Sequence, residues 1–336
     1  MKRLLTLLLA LALACSILAL PARAADPVTA EGSAQLLYDL GLFKGTGVKA
    51  DGSPEFDLNR APTRAEAVTM LVRLLGAEEQ AMQSVQAMPF IDVPDWARPY
   101  VSYAYRQGLT VGVSPDHFGS YTSVTTAQYL TFVLRAMGYA DGTDFSWSSA
   151  WTLTDKLGIT SGEYNAKTAF LRGDAAVVSA NALTADRKTG GQNLLEYLVG
   201  RGVITDKNMV IWGCAVVNTQ AGFTSFLFYP VKGSPGTFSN FKVDKVTVNG
   251  VSCQTLQVTN TQAVAQYLSS IGVSSGGFGY IEVTFDQTAA RAAAKEFFTD
   301  ASGARQPWLV FQFSTTGTRA DSVKVVDSFT LYQAPV

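Results

Sequence analysis

The chain has 336 residues, with 26 Lys and Arg against 27 Asp and Glu, for a formal net charge of −1. A composition of 47% hydrophobic and 16% charged residues excludes disorder along the whole chain, and the length fits about two domains. The charge balance gives no basic field for nucleic acid, and a single histidine excludes any site that needs two imidazoles.

Residues 1–24 read as an export leader. Met1-Lys2-Arg3 is a basic start, Leu4 to Leu20 is an uncharged apolar run, and Ala22-Arg23-Ala24 offers a small-x-small cleavage site before Ala25. At 17 residues the run lies at the lower limit for a membrane span, so no membrane segment is expected after cleavage. Cleavage would leave a net charge of −4 and the cysteines Cys214 and Cys253. In an exported protein these two either pair across 39 residues or remain two separate buried thiols. No CxxC or other metal-binding spacing is present, and no cofactor is expected.

From residue 25 to about 208 the chain repeats itself. Leu40-Gly41-Leu42-Phe43-Lys44-Gly45 recurs as Gln107-Gly108-Leu109-Thr110-Val111-Gly112 and as Leu157-Gly158-Ile159-Thr160-Ser161-Gly162. In each copy the first glycine closes an amphipathic helix by supplying a positive φ. A loop follows, shortening from copy to copy, and then a second helix. The second helices align as Ala67, Met70, Leu71, Leu74, Leu75; Tyr129, Phe132, Val133, Ala136, Met137; and Ala175, Val178, Ser179, Ala182, Leu183. This i, i+3, i+4, i+7, i+8 stripe faces a core that one helix pair cannot build alone, so three units should pack together. Gly191 to Val203 reads as one more short helix with Leu194, Leu195 and Leu198 inward.

After about residue 208 the composition shifts to β-branched and aromatic runs: Val210–Val217, Phe223–Tyr229, Phe241–Val248, Tyr280–Phe285, Trp308–Phe313 and Val323–Leu331. Asn249-Gly250 is a hairpin signal. Helices are expected over Gln262–Ile271 and Thr288–Phe298. Residues 209–336 therefore read as an α+β, β-rich domain.

The repeat residues carry a resemblance. Phe90-Ile91-Asp92-Val93, Asp95-Trp96-Ala97, Gly108-Leu109, Gly112, Phe118 and Leu134-Arg135-Ala136-Met137-Gly138 together resemble a full S-layer homology repeat. Thr63-Arg64-Ala65-Glu66 with Leu71-Val72-Arg73-Leu74-Leu75-Gly76 resembles the most recognisable element of that family. Phe170-Leu171-Arg172-Gly173-Asp174 is similar to a decayed third copy. The three copies fall at about 28–76, 88–140 and 144–208. The resemblance implies a pseudo-threefold spindle whose second helices form a central three-helix bundle. Its grooves would bind anionic secondary cell-wall polysaccharide, including sugars bearing a pyruvate ketal, and hold the exported protein non-covalently on a bacterial cell surface.

The residues themselves suggest how. Thr63 and Glu66 have the spacing of a capping box, and Arg64 then falls in the first turn, beside amides that together with the guanidinium would receive a carboxylate or phosphate. The second copy, Thr125-Thr126-Ala127-Gln128, has threonine in place of the arginine. The third, Leu171-Arg172-Gly173-Asp174, keeps the arginine without the capping hydroxyl. At most two arginine-bearing grooves are expected, around Arg64 and Arg172. Lys44 is a further anion contact or a solvated lysine, Trp96 a sugar-stacking ring or a core ring, and Asp92 a ligand contact or a cap or turn acceptor for the helix near Trp96. The leading expectation is a non-catalytic surface protein that presents residues 209–336 for interaction. The alternative is a secreted carbohydrate- or peptidoglycan-active enzyme tethered by the same repeats. Its carboxylates would come from the C-terminal domain, where Glu282 and Asp286 stand four apart on an expected strand.

Overall fold

The computed structural model describes residues 30–205, 210–258, 279–300, 302–319, 322 and 324–335. The expected leader over 1–24 and the expected helix over 262–271 lie outside the described residues. The chain divides into two compact units, Val28–Ile204 and the segment from Thr205 onward.

The first unit is helical: α1 (Ala30–Asp39), α2 (Arg64–Leu74), α3 (Glu78–Gln83), α4 (Arg98–Arg106), α5 (Thr126–Ala136), α6 (Trp151–Lys156), α7 (Arg172–Thr184) and α8 (Leu194–Gly200). A two-residue strand pair, β1 (Gly47–Val48) and β2 (Pro54–Glu55), closes the first long loop. The turns after α1, α4 and α6 hold Gly41, Gly108 and Gly158 at φ of +74°, +68° and +71°, which only glycine adopts without strain.

The apolar stripes of α2, α5 and α7 are buried, and each of these helices packs on the other two. Each also packs on the first helix of the next pair: α2 on α4, α5 on α6, and α7 back on α1. The backbone follows the same order. The Arg64 and Ala65 amides donate to the carbonyls of Ser120 and Thr122, at 2.8 Å from Arg64 to Thr122 and 3.2 Å from Ala65 to Ser120. The Arg172 and Gly173 amides donate to Arg60 and Leu58, both at 2.9 Å. Gly173 stands where the other copies have Ala65 and Ala127 because a Cβ there would lie 2.9 Å from that of Ala30. Closing the cycle of helices onto α1 leaves no room for a methyl group.

The second unit is a β-sandwich. One sheet has the order β12 (Lys324–Gln333), β11 (Leu309–Arg319), β5 (Phe238–Val248), β6 (Val251–Ser252). The other has the order β3 (Trp212–Gln220), β4 (Phe223–Pro230), β8 (Gly279–Thr284), β7 (Gln254–Val258). The described pairings within both sheets are antiparallel. Phe226 and Phe228 of β4 meet Phe311 and Phe313 of β11 with ring centroids about 5 Å apart, so the two sheets share one core. Leu309, Phe311, Phe313 and Thr315 are buried in alternation along β11, the period of a strand with one face covered. Asn249 and Gly250, at φ of +51° and +82°, form the expected two-residue turn between β5 and β6.

The expected helix over Thr288–Phe298 is shorter, α9 (Gln287–Ala292). Phe297 and Phe298 leave it for β9 (Phe297–Thr299), paired with β10 (Arg305–Pro307). Phe298 stacks on Trp308 at 4.2 Å, so aromatic packing overrides the helical tendency of the alanines before it.

Gly76 and Gly138 close equivalent helices at φ of +61° and +90°, yet their surroundings differ. A Cβ on Gly76 would fall 2.0 Å from Val203, whereas on Gly138 the nearest atoms are 3.7 Å away. Gly138→Ala is expected to cost about 1–2 kcal/mol for the left-handed backbone. Gly76→Ala should cost about 1–3 kcal/mol more through overpacking. Urea unfolding of the two variants measures the difference.

Candidate functional site

Thr63 and Glu66 form the expected capping box: the Thr63 hydroxyl accepts from the Glu66 amide at 3.3 Å, and the Glu66 carboxylate accepts from the Thr63 amide at 2.7 Å. Thr125 and Gln128 repeat it on α5. At α7 only half remains, with Asp174 accepting from the Leu171 amide at 2.7 Å, since leucine has no oxygen to return. Arg60 grips Glu66 with both terminal nitrogens, at 2.8 and 2.6 Å.

The free amides expected beside Arg64 are not there. Carbonyls of the next repeat's loop take the first two, and Thr63 takes those of Glu66 and Ala67. Lodging the helix start on its neighbour consumes the donors, so any anion recognition falls to the guanidinium. That group is buried, with Arg64 only 4% exposed. One terminal nitrogen donates to the Val111 carbonyl at 2.7 Å, the rings of Phe118 and Phe132 lie about 5 Å from its carbon, and its Nε has no partner. No carboxylate among the described residues pairs with it. Burial, aided by the nearby charge of Arg135, pushes its pKa down to about 10, so it is still a cation at neutral pH.

Arg172 is buried to the same extent. Its Nε donates to the Phe56 carbonyl at 3.0 Å and its guanidinium lies 5.6 Å from the Phe43 ring. Burial lowers its pKa as well. Thr126, the neutral counterpart, donates to the Thr168 carbonyl at 3.1 Å. Each of these side chains thus reaches into the following repeat, from first to second, second to third and third to first.

The other candidate residues take different places. Lys44 pairs with Glu78 at 2.7 Å. Asp92 does not cap the helix near Trp96. Its carboxylate accepts from the amides of Phe118, Gly119 and Ser120 at 2.7, 2.7 and 3.1 Å. Burial opposes its ionisation, but these amides prevail and hold its pKa below the usual value. Asp92 therefore fixes the loop whose Phe118 ring lies against Arg64. Trp96 is 52% exposed on a short 3₁₀ turn, Asp95–Ala97, so it is not a core ring.

Beside Val111 lies an open cleft of about 410 Å³, lined by Gly108, Val111, Arg135, Gly138, Tyr139, Ala140 and Asp141. Sequence reasoning passed over Arg135 and Asp141 as a site, because an arginine in the last turn of a helix reads as a partner for the helix dipole. The available signal was its place in the repeat, at the end of the second helix and three residues before the closing glycine. Arg135 and Asp141 are 3.6 Å apart. Arg64 lies outside this lining, bonded to the Val111 carbonyl and close enough to Arg135 to feel its charge.

In the second unit Glu282 lies on β8, while Asp286 leaves the strand and caps α9, accepting from the Ala289 amide at 3.0 Å. The two acids do not share a strand face. No disulfide joins Cys214 and Cys253. Both are packed against the sandwich core, and burial pushes the Cys253 thiol up to about 11. Among the described residues no cluster of metal-binding side chains occurs, and no helix is long and apolar enough to cross a membrane.

No family model matches the chain. It is 31% identical over 175 residues to a cell surface protein of Thermoanaerobacter kivui, covering 50% of this chain and 21% of that protein. It is 29% identical over 198 residues to a middle cell wall protein of Brevibacillus brevis, covering 55% and 18%. It is also 29% identical over 159 residues to a surface layer protein of Brevibacillus choshinensis, covering 45% and 14%. The chain thus spans at most 21% of the length of these relatives. The similarities suggest a surface-layer-related protein and support a cell-wall or cell-surface location.

The Glu66 clamp has a pH signature. Burial works against its charge, but hydrogen bonds from Arg60 and the Thr63 amide prevail and hold its pKa at about 2 against an ordinary 4.5. A carboxylate depressed in the folded state stabilises fully above its ordinary pKa and progressively less as pH falls toward the depressed one. Glu66→Gln keeps the cap, as Gln128 does naturally, and loses the charge. The wild type is expected to be the more stable at pH 6, with the gap narrowing between pH 4.5 and 2. Urea midpoints across that range measure it.

Proposed function

We propose that the helical unit is a set of three diverged S-layer homology repeats in a pseudo-threefold arrangement around α2, α5 and α7. It would hold the protein non-covalently on anionic secondary cell-wall polysaccharide and present the β-sandwich as a non-catalytic interaction domain. The similarity to surface-layer and cell-wall proteins supports this reading, as does the cyclic packing of the helices.

The observation that carries it is Arg64. A buried guanidinium with no counter-ion costs several kcal/mol. The Phe118 and Phe132 rings offset about 1–2 kcal/mol of that. A protein that needed only a well-capped helix would use a neutral residue here, as it does at Thr126. A buried arginine bonded to Val111, a residue that lines an open cleft also holding Arg135 and Asp141, suits a ligand that brings its own negative charge. Shallow open clefts with paired glycines also suit sugars, whose hydroxyls bond to backbone and side chains without deep enclosure.

Sedimentation with purified cell-wall sacculi, before and after removal of wall polysaccharide, tests the proposal. The mature protein should co-sediment with the intact sacculi only, and equally poor sedimentation with both preparations would refute it. Arg64→Gln should weaken binding about tenfold, through loss of a buried charge that acts on the ligand from behind Val111. Thr126→Ala should leave binding within about twofold. Near-UV circular dichroism confirms that each variant retains its packing.

A further inference from the structure

The loop between α7 and α8 is anchored at its base. Asp186 and Asn193 bridge there, and the Arg187 amide donates to the Gln192 carbonyl at 3.0 Å. The Arg187 guanidinium lies over the Tyr197 ring of α8, 3.7 Å from its centroid. At the tip, Gly190 and Gly191 stand at φ of +95° and +62°, and a Cβ on either would meet nothing within 4 Å. The tip therefore turns through space that no neighbour fills.

From this base the loop reaches the second repeat. The Lys188 amide donates to the Met137 carbonyl at the end of α5, at 3.1 Å, and the Tyr139 hydroxyl donates to the Asp186 carbonyl at 3.2 Å. A Cβ on Gly138 would lie 3.7 Å from Lys188 Cβ and from Thr189 Oγ1. These contacts are neutral. The charged one is Lys188, whose ammonium donates to both oxygens of Asp144 at 2.8 and 2.7 Å.

Asp144 in turn belongs to the wall of the cleft beside Val111. Its carboxylate accepts from the Ala140 amide at 2.6 Å, and its own amide donates to the Ala140 carbonyl at 2.8 Å. Gly138, Tyr139, Ala140 and Asp141 line that cleft. The bonds from Ala140 and Lys188 hold the Asp144 carboxyl below the usual carboxylate range, so the pair is charged at neutral pH. One ion pair thus ties a loop that follows the third repeat to a cleft wall 44 positions earlier. The pair is partly exposed, with 39% of the Lys188 side chain and 20% of that of Asp144 accessible. Salt can therefore screen it, since the Debye length falls from about 10 Å at 0.1 M to about 3 Å at 1 M.

We propose that Lys188 and Asp144 form a salt-sensitive latch, which straps the loop 186–192 to the wall 138–145 so that loop and wall open and close as one unit. With the latch made, the wall holds Asp141 beside Arg135 and the cleft keeps its shape. With the latch screened, strap and wall loosen together and the cleft loses its fixed side. The device does not depend on what the cleft receives.

Hydrogen–deuterium exchange of the full chain, read by mass spectrometry, tests it, because exchange follows the population of locally opened states. Lys188→Met and Asp144→Asn are each expected to speed exchange about two- to fivefold in both 138–145 and 186–192, the range for a partly exposed ion pair. Asp144→Asn keeps an acceptor for the Ala140 amide and so removes the charge without the turn. Raising sodium chloride from about 0.05 to 1 M should bring the wild type toward the variants and leave the variants nearly unchanged. Lys49→Met, which breaks the exposed pair with Glu31 at 3.3 Å, should alter neither segment. Modification of Arg135 by phenylglyoxal, followed in its peptide, should quicken in both latch variants. Either latch variant suffices if the other loses its near-UV circular dichroism. Acceleration confined to 186–192, a wild type indifferent to salt, or an unchanged Arg135 rate in a folded variant overturns the proposal.

Discussion

A helix pair with an apolar stripe on its second member cannot hide that stripe by itself, and the architecture of the helical unit follows from this constraint. Three stripes meet, and each second helix also carries the first helix of the following pair. The start of a helix that enters such an assembly brings unsatisfied amides with it. Here the amides of Arg64, Ala65, Arg172 and Gly173 close onto loop carbonyls of the adjoining repeat. That docking directs the side chain of the first helical residue toward the interior. Position, more than residue type, makes Arg64 and Arg172 buried cations.

Having buried a charge, the protein must satisfy it, and the copies have solved this differently. Thr126 removes the charge altogether. Arg172 spends its Nε on the Phe56 carbonyl. Arg64 keeps an unpartnered Nε and stands behind a cleft in which Arg135 is only loosely paired. Divergence among the repeats therefore distributes electrostatic cost unevenly, and the copy with the least internal compensation is the one beside open space. Asp92 contributes indirectly: by gathering three loop amides it fixes the loop of Phe118, whose ring partly compensates the Arg64 charge.

The second unit is stabilised in another way. Aromatic side chains from facing strands interlock, with Phe311 in contact with Phe226, Phe285 and Phe313. A buried polar group crosses between sheets, where Gln333 of β12 bonds Thr219 and Thr224 of β3 and β4. A buried polar bridge of this kind favours one register over its neighbours, because a slip would strand its donors in the core.

Local rules alone determined much of this protein. The repeat period, the glycine-closed helices, both threonine caps and most strands of the sandwich are legible because each depends on residues close in sequence. Periodicity also marks the faces that must be buried, though not the partners that bury them. What required the tertiary structure was every property that depends on residues far apart. The loss of the amides beside Arg64 comes from carbonyls more than fifty positions away. The pairing of Lys44 with Glu78, and the place of Arg135 beside Asp141 in an open cleft, arise only on folding. The separation of Glu282 from Asp286 depends on where a strand ends. Sequence fixes the spacing of charges along the chain, but only folding fixes their distances in space, and electrostatic recognition follows the latter.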